Sequence, residues 1–338
     1  MIFFRKYLTL FLLVFFCSLI SSYILFSKVY LDNKQLVNSS DRLTSISPLL
    51  PSSIVPDEKI DSEIVLVFAG DAMFDRHIRL FAEKNGYEYI LEDFSDLFSS
   101  ADEVILNLEG PITENKSVSV GSEVGSTRNF IFTFDPSIIQ FFKKWNVTTV
   151  NLGNNHIQNF GEKGVESTYA FLRTEEIAAF GDVGTNPVEH TRYIVREIRD
   201  KQIAFVSYNE FVPNSKVHVF EDINKVKEEA DIVIVYSHWG AEYLPTANET
   251  IQKLAHEFID SGADLVIGGH PHVTQQKEEY KGKMIYYSLG NFVFDQYFSK
   301  ETMQGLVVRV TIAKDSNMFF EEIPVKMEKD GKTVIQEN

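Results

Sequence analysis

Six short runs of β-branched and aromatic residues, each breaking off in glycine, asparagine, aspartate, glutamate or histidine, constrain this chain most. They are IVLVFA (64–69) before Gly70-Asp71, VILNL (104–108) before Glu109, VTTVNL (147–152) before Gly153-Asn154-Asn155-His156, IVIVY (232–236) before Ser237-His238-Trp239-Gly240, LVIG (265–268) before Gly269-His270-Pro271-His272, and MIYYSL (284–289) before Gly290-Asn291. Runs this uniformly apolar suit strands covered on both faces. Amphipathic helical patterns at 162–174 and 250–261 lie between some of them, and the alternation predicts a layered α/β domain in which helices cover the sheets.

In α/β sheets, ligands bind outside the carboxyl ends of the strands, where loops from several strands converge. A single Gly-Asp ending would read as a turn or a helix cap. Six endings that deliver Asp71, Glu109, Asn155, His156, His238, His270 and His272 read as one site. Carboxylate oxygen, amide oxygen and imidazole nitrogen together suit one or two divalent ions of Mn, Zn or Fe, and disfavour an all-oxygen calcium site. The single cysteine, Cys17, excludes an intrachain disulfide and any cysteine-rich zinc module.

His270-Pro271-His272 is the sharpest local feature. In an extended segment residues i and i+2 point the same way, so both imidazoles are expected to address one centre, with the proline stiffening the link. His156 follows Asn155 and is open to a role as proton donor, charge stabiliser or ligand. His77, His190, His218 and His256 fall in helical or surface contexts and read as solvated or capping side chains. Trp239 and Tyr243 stand beside His238, in place either to wall a site or to pack. The GSEVGST stretch (121–127) reads as a mobile loop flanking the site. No Walker, dinucleotide-binding or nucleophile-elbow motif is present.

The chain begins differently. Residues 7–26 carry no charge over twenty positions, enough to span a hydrocarbon core about 30 Å thick, and Arg5 and Lys6 precede them. A single-pass anchor is expected, with the N-terminus cytoplasmic and the main domain extracytoplasmic. The alternative is a cleaved signal peptide, whose apolar stretch is ordinarily about 7–15 residues and ends in a small-residue cleavage site. Residues 27–60, with seven serines and Pro48, Pro51 and Pro56, read as a stem before a domain at 61–338. Residues 1–60 hold six Lys/Arg and four Asp/Glu of the chain's 32 and 48, which leaves 26 against 44, a net −18, beyond them. So acidic a domain is no partner for nucleic acid.

AGDAMFDR (69–76), NLEGPIT (107–113), NLGNNHIQNFGEKGVEST (151–168), SHWGAEY (237–243), SGADLVIGGHPHVTQ (261–275) and YYSLGNFVFDQ (286–296) together resemble the bacterial capsule-synthesis CapA family, also called poly-γ-glutamate synthesis domains, which is similar to calcineurin-like metallophosphoesterases. The resemblance covers about residues 62–312. It implies a four-layer α/β sandwich of two mixed sheets flanked by helices. It also implies that Asp71 ligates a first metal, Glu109 bridges, Asn155, His238 and His270 hold a second, His272 turns to the first, and His156 is catalytic. Asn154, Asn159, Trp239, Glu242 and Asn291 would support these ligands or touch substrate. Two departures stand out. Met73 occupies the position of an expected metal-binding His, with Asp75 as a possible substitute, and Asn159 stands where the related motif carries Asp. The implied activity is metal-dependent hydrolysis or transfer in capsule or poly-γ-glutamate metabolism, with the capsule polymer and a membrane polymer-synthase complex as partners. The alternative is a non-catalytic assembly or export subunit, since fold alone does not settle function.

Overall fold

The computed structural model describes residues 63–184 and 191–336. The expected anchor at 7–26 and stem at 27–60 lie outside the described residues. Among the described residues, no helix is long and apolar enough to cross a membrane. One compact unit spans Ile60–Asn338.

Two sheets form the centre. In the first, strands β1 (Ile64–Ala72), β2 (Glu103–Leu108), β3 (Thr149–Asn151) and β4 (Ala178–Phe180) run parallel. An antiparallel extension, β12 (Gln304–Ile312), β13 (Met318–Met327) and β14 (Thr333–Ile335), adds to β1, and β11 (Asn291–Val293) pairs with the end of β1. In the second, β6 (Lys201–Asn209), β7 (Ile232–His238), β8 (Leu265–Gly269) and β10 (Lys283–Tyr286) are parallel, edged by antiparallel β5 (Tyr193–Ile198) and β9 (Lys277–Tyr280).

The uniformly apolar runs conceal a period of two that sorts side chains between two layers. Ile64, Leu66 and Phe68 of β1, Ile203 and Phe205 of β6, and Ile232, Ile234 and Tyr236 of β7 all enter a core between the sheets. Their neighbours turn outward. Val65 and Val67 join Ile78 and Ala82 of α1 (Arg76–Asn85), Phe142 of α3 (Ile138–Lys144) and Leu172 of α4 (Gly161–Thr174), whereas Phe98 of the short α2 (Ser95–Ser99) seals the same layer. On the opposite side Val233 and Val235 meet Ile223 of α5 (Ser215–Val226) and Leu254 and Phe258 of α6 (Glu249–Ser261). Helix, sheet, sheet and helix thus make four layers, and both sheets are mixed.

Pairing register places the polar ends side by side. Asp71 lies opposite Asn107 on β2 and Asn291 on β11, and Asn107 lies opposite Asn151 on β3. Across the second sheet Asn209, His238 and Gly269 form the matching row. Strict alternation along β1 would send Asp71 to the outer helices with Val65, Val67 and Ala69. An irregularity in the β1–β2 register between Phe68 and Asp71 turns it inward, the re-aiming that bulges bring about.

Candidate metal centre

Glu109, one residue past β2, is fully buried, and neither of its carboxylate oxygens has a hydrogen-bond partner. Three imidazole nitrogens surround its Oε1 instead: Nε2 of His156 at 3.8 Å, of His238 at 3.9 Å and of His272 at 3.8 Å. These separations are too long for hydrogen bonds. They fall within the roughly 4.2 Å that two ligands can span when each sits about 2.1 Å from a shared ion. Ligand atoms of Glu109, His238 and His270 lie within 4.8 Å of one another, as do those of Asp71, Glu109 and His272, so Glu109 belongs to both sets.

Each remaining head group is fixed by its own contacts. Asp71 Oδ1 accepts from Asn107 Nδ2 at 2.7 Å and Oδ2 accepts from the His270 backbone N–H at 3.0 Å. His238 Nε2 is 2.9 Å from Asn155 Oδ1. His272 Nδ1 is 2.9 Å from Asn291 Oδ1, whose own amide nitrogen donates to Gln296 Oε1 and to the Thr302 carbonyl. That pair of donations orients the Asn291 oxygen toward His272, so Nδ1 carries a proton and Nε2 is turned toward Glu109. Asn159 does the same for His156, its Oδ1 lying 3.2 Å from Nδ1 while accepting from the Phe132 N–H. His270 Nδ1 is buried without a partner, its ring 4.5 Å from Phe211 and 4.8 Å from His238.

Burial sets the proton inventory. It pushes His238 well below the ordinary imidazole range, His270 down to about 3 and His156 down to about 4, in each case with neighbouring positive imidazoles adding to the effect. These rings are neutral at pH 7, the form that ligates metals. Burial also opposes charge on His272 and Asp71, yet their mutual contact and the field of Glu109 hold His272 up at about 9, and His272, His238 and Asn107 hold Asp71 down at about 2. For Glu109 the compensation falls short: desolvation outweighs the opposing charge of His272 and, with Asp71 nearby, raises it well above the ordinary carboxylate value. A buried carboxyl with two idle oxygens, ringed by three imidazoles, fits a divalent cation.

The expected residues converge, although three local readings need correction. His270 and His272 share the centre, but the segment is not extended: φ is +92° at His270 and +58° at His272, and a tight turn does the aiming. Asp75 cannot substitute for the His missing at 73, because its carboxylate caps α1 at the Arg76 N–H and holds Arg79 and the Thr133 N–H. Met73 itself packs in the outer core. Trp239 walls no site: it is fully buried, donates to the Tyr287 carbonyl and stacks on Phe258. Asn154 secures the loop, with Nδ2 donating to the Leu108 carbonyl and Oδ1 accepting from the His156 N–H. His77 contacts Asp295, His218 contacts Asp182 and His256 contacts Glu278, all outside the cluster, and His190 lies outside the described residues.

Sequence reading passed over Asn107, which sits two residues before Glu109 within an apolar run and touches both Asp71 and, at 3.2 Å, His238. Its place on one strand face with Glu109 was the available signal. It also passed over Arg76, bound to Asp295 and lying 5.1 and 5.3 Å from the rings of Phe132 and Phe294. A cavity of about 270 Å³ opens there, lined by Arg76, Asn129, Tyr243, Gln296 and, from the glycine-rich loop, Ser122 and Gly125.

The sequence profile of the bacterial capsule synthesis protein PGA_cap matches residues 65–296. The chain is 28% identical to the PGA biosynthesis protein CapA of Bacillus subtilis (strain 168), over 83% of this chain and 80% of that protein. It is 25% identical to the capsule biosynthesis protein CapA of Bacillus anthracis, over 80% and 69% respectively. The crystal structure of a hypothetical protein from Thermus thermophilus shares the fold with a TM-score of 0.50 at 16% identity, covering 78% of this chain and 99% of that one. With the profile spanning most of the described strands and every residue of the cluster, the chain belongs to the bacterial capsule synthesis protein family PGA_cap.

Proposed function

We propose that this protein is anchored in the cell membrane by residues 7–26, exposes its domain outside the cytoplasm, and uses a divalent-metal centre in capsule or poly-γ-glutamate metabolism by hydrolysis or group transfer. The observation that carries the metal reading is Glu109, a fully buried carboxylate with two unpartnered oxygens among imidazoles. The likeness to the CapA proteins of two Bacillus species supports the polymer assignment, and the uncharged stretch after Arg5 and Lys6 supports the anchor.

Asp71, Glu109, Asn155, His238, His270 and His272 are the residues that would hold one or two ions. Bound there, Mn, Zn or Fe would lower the pKa of a coordinated water and polarise the bond to be broken. The chain's own part is orientation and proton control. Asn159 fixes the proton of His156 on Nδ1, which leaves Nε2 free to accept a proton or hydrogen bond at the centre. Asn291 holds a proton on Nδ1 of His272, the ring that, despite burial, Glu109 and Asp71 keep protonated near neutral pH. Arg76, paired with Asp295 and packed against two aromatic rings, offers a guanidinium at the cavity, where an anionic polymer segment could accept its hydrogen bonds.

The test compares the purified full chain with a His270→Ala/His272→Ala double variant, for metal content by elemental analysis and for cleavage of poly-γ-glutamate. Metal and activity lost together in the variant support the reading. Equal metal content and equal activity in the two proteins end it.

A further inference from the structure

Met73 offers no imidazole, and Asp71, Glu109 and His272 form one ligand group among the described residues. Three protein ligands and a water suffice for a catalytic zinc, and Mn or Fe has room for further ligands up to six. A third ligand group, distinct from the two that share Glu109, lies at the mouth of the cluster. A carboxylate oxygen of Glu242 and one nitrogen each of His270 and His272 lie within 4.8 Å of one another. Glu242 is exposed, whereas both imidazoles are buried. It therefore reaches them from the solvent side, and Glu109 reaches them from the buried floor.

The loop that carries Glu242 is built to put it there. Gly240 takes φ +84° and Tyr243 takes φ +64°, which turns the chain sharply after β7. The Tyr243 backbone N–H donates to the Pro271 carbonyl at 2.8 Å, tying the loop to the residue between the two histidines. The Tyr243 ring stacks on His272 with centroids 6.1 Å apart and planes 29° apart. An independent sign comes from His270, whose Nδ1 is buried without a hydrogen-bond partner on a side chain only 4% exposed. A buried nitrogen left without a partner marks a place for a water or an ion.

We propose that Glu242 is a metal ligand of this chain, brought by the loop after β7 to a third ligand group with His270 and His272 at the mouth of the cluster. The inference rests on the metal reading above and adds to it a ligand from a loop instead of a strand end. Because its carboxylate is exposed, Glu242 is also the ligand most easily exchanged, while the buried ones stay fixed by Asn107, Asn155 and Asn291.

The experiment is a manganese titration of the chelator-treated full chain, followed by the electron paramagnetic resonance signal of free Mn²⁺ and by calorimetry. Four proteins are compared: wild type, Glu242→Gln, Glu242→Asp and, as a charge control, Glu301→Gln, an exposed carboxylate outside all three ligand groups. Glu242→Gln is expected to weaken at least one Mn²⁺ binding event by no less than the ~10–100-fold that even outer partners of metal ligands cost. Glu242→Asp should fall between it and wild type, Glu301→Gln should match wild type, and the melting temperature in chelator should be unchanged for all. Wild-type binding with Glu242→Gln identical in affinity and stoichiometry overturns the ligand assignment alone, as does equal weakening in Glu301→Gln. A wild type that binds no Mn²⁺ overturns the metal reading itself.

Discussion

Replacing Glu109 by methionine should make the metal-free protein more stable and the metal-loaded protein less so. The side chain is fully buried, and its two oxygens satisfy no donor. An unsatisfied buried polar group costs about 1–3 kcal/mol. Methionine follows the same unbranched stem and carries nothing that needs a partner. Its three imidazole neighbours at 3.8–3.9 Å lose no hydrogen bond, and His272, though it loses the field of Glu109, keeps Asp71 and Asn291. In chelator, Glu109→Met should therefore melt roughly 2–12 °C above wild type, taking about 2–4 °C per kcal/mol for a domain approaching this size. Manganese at about 1,000 times its dissociation constant should add about 4.1 kcal/mol to wild type and little to the variant, so the order of melting temperatures inverts. Differential scanning fluorimetry with and without Mn²⁺ measures both. A variant that melts below wild type in chelator, or gains as much from Mn²⁺, would show that the carboxylate is satisfied without a cation and remove the basis for the metal centre.

Three further outcomes follow from named contacts. Asn291→Ala leaves Nδ1 of His272 with Asp71 at 3.4 Å alone and should weaken Mn²⁺ binding by ~10–100-fold in calorimetry, whereas unchanged affinity would mean that the ring is oriented without Asn291. A Cβ at Gly269 would stand 2.6 Å from Asp71 Oδ1, so Gly269→Ala should cost about 1–3 kcal/mol in denaturant unfolding and displace that carboxylate from the centre; a neutral effect would place the two sheets farther apart than described. Ile234→Ala, between the sheets, and Ile223→Ala, under α5, should each destabilise by about 2–5 kcal/mol, but only the first should lower metal affinity; equal affinities in the two would refute any dependence of the centre on sheet spacing.

What could be read from the sequence, and what could not, has a physical pattern. A strand covered on both faces has no use for polar residues until it emerges from the sheet, so Gly70-Asp71, His238 and the Gly269–His272 segment announce themselves at the tips of β1, β7 and β8. Asn107 is polar within a strand, where asparagine more often signals a turn; its spacing from Glu109 marks the face, and its register opposite Asp71 shows which side chain it serves. The aim of Asp71 depends on a register irregularity that leaves no local mark on composition. His270 and His272 were legible as a pair but not as a turn, because their left-handed backbone is held by distant partners: the Asp71 carboxylate accepts from His270 N–H, and Tyr243 N–H binds the Pro271 carbonyl. The β12–β14 extension carries polar residues on its half-covered strands and lacks the sharp endings that mark the others.

Donor chemistry divides between the sheets in a way that explains why all four layers are needed. Asp71, Glu109 and Asn155 come from the ends of β1, β2 and β3 and supply oxygen; His238, His270 and His272 come from the ends of β7 and β8 and supply nitrogen. Neither sheet offers a mixed donor set except through His156, which the loop after β3 brings to the same Glu109. The two halves meet because Ile64, Leu66 and Phe68 interlock with Ile203, Phe205, Ile234 and Ile267 below them, and because Gly269 has no side chain to push Asp71 away. A cation at Glu109 would bond to both sheets at once. Binding would then report on sheet docking as directly as on ligand identity, and apolar residues several strand positions from the centre would govern affinity without touching the ion.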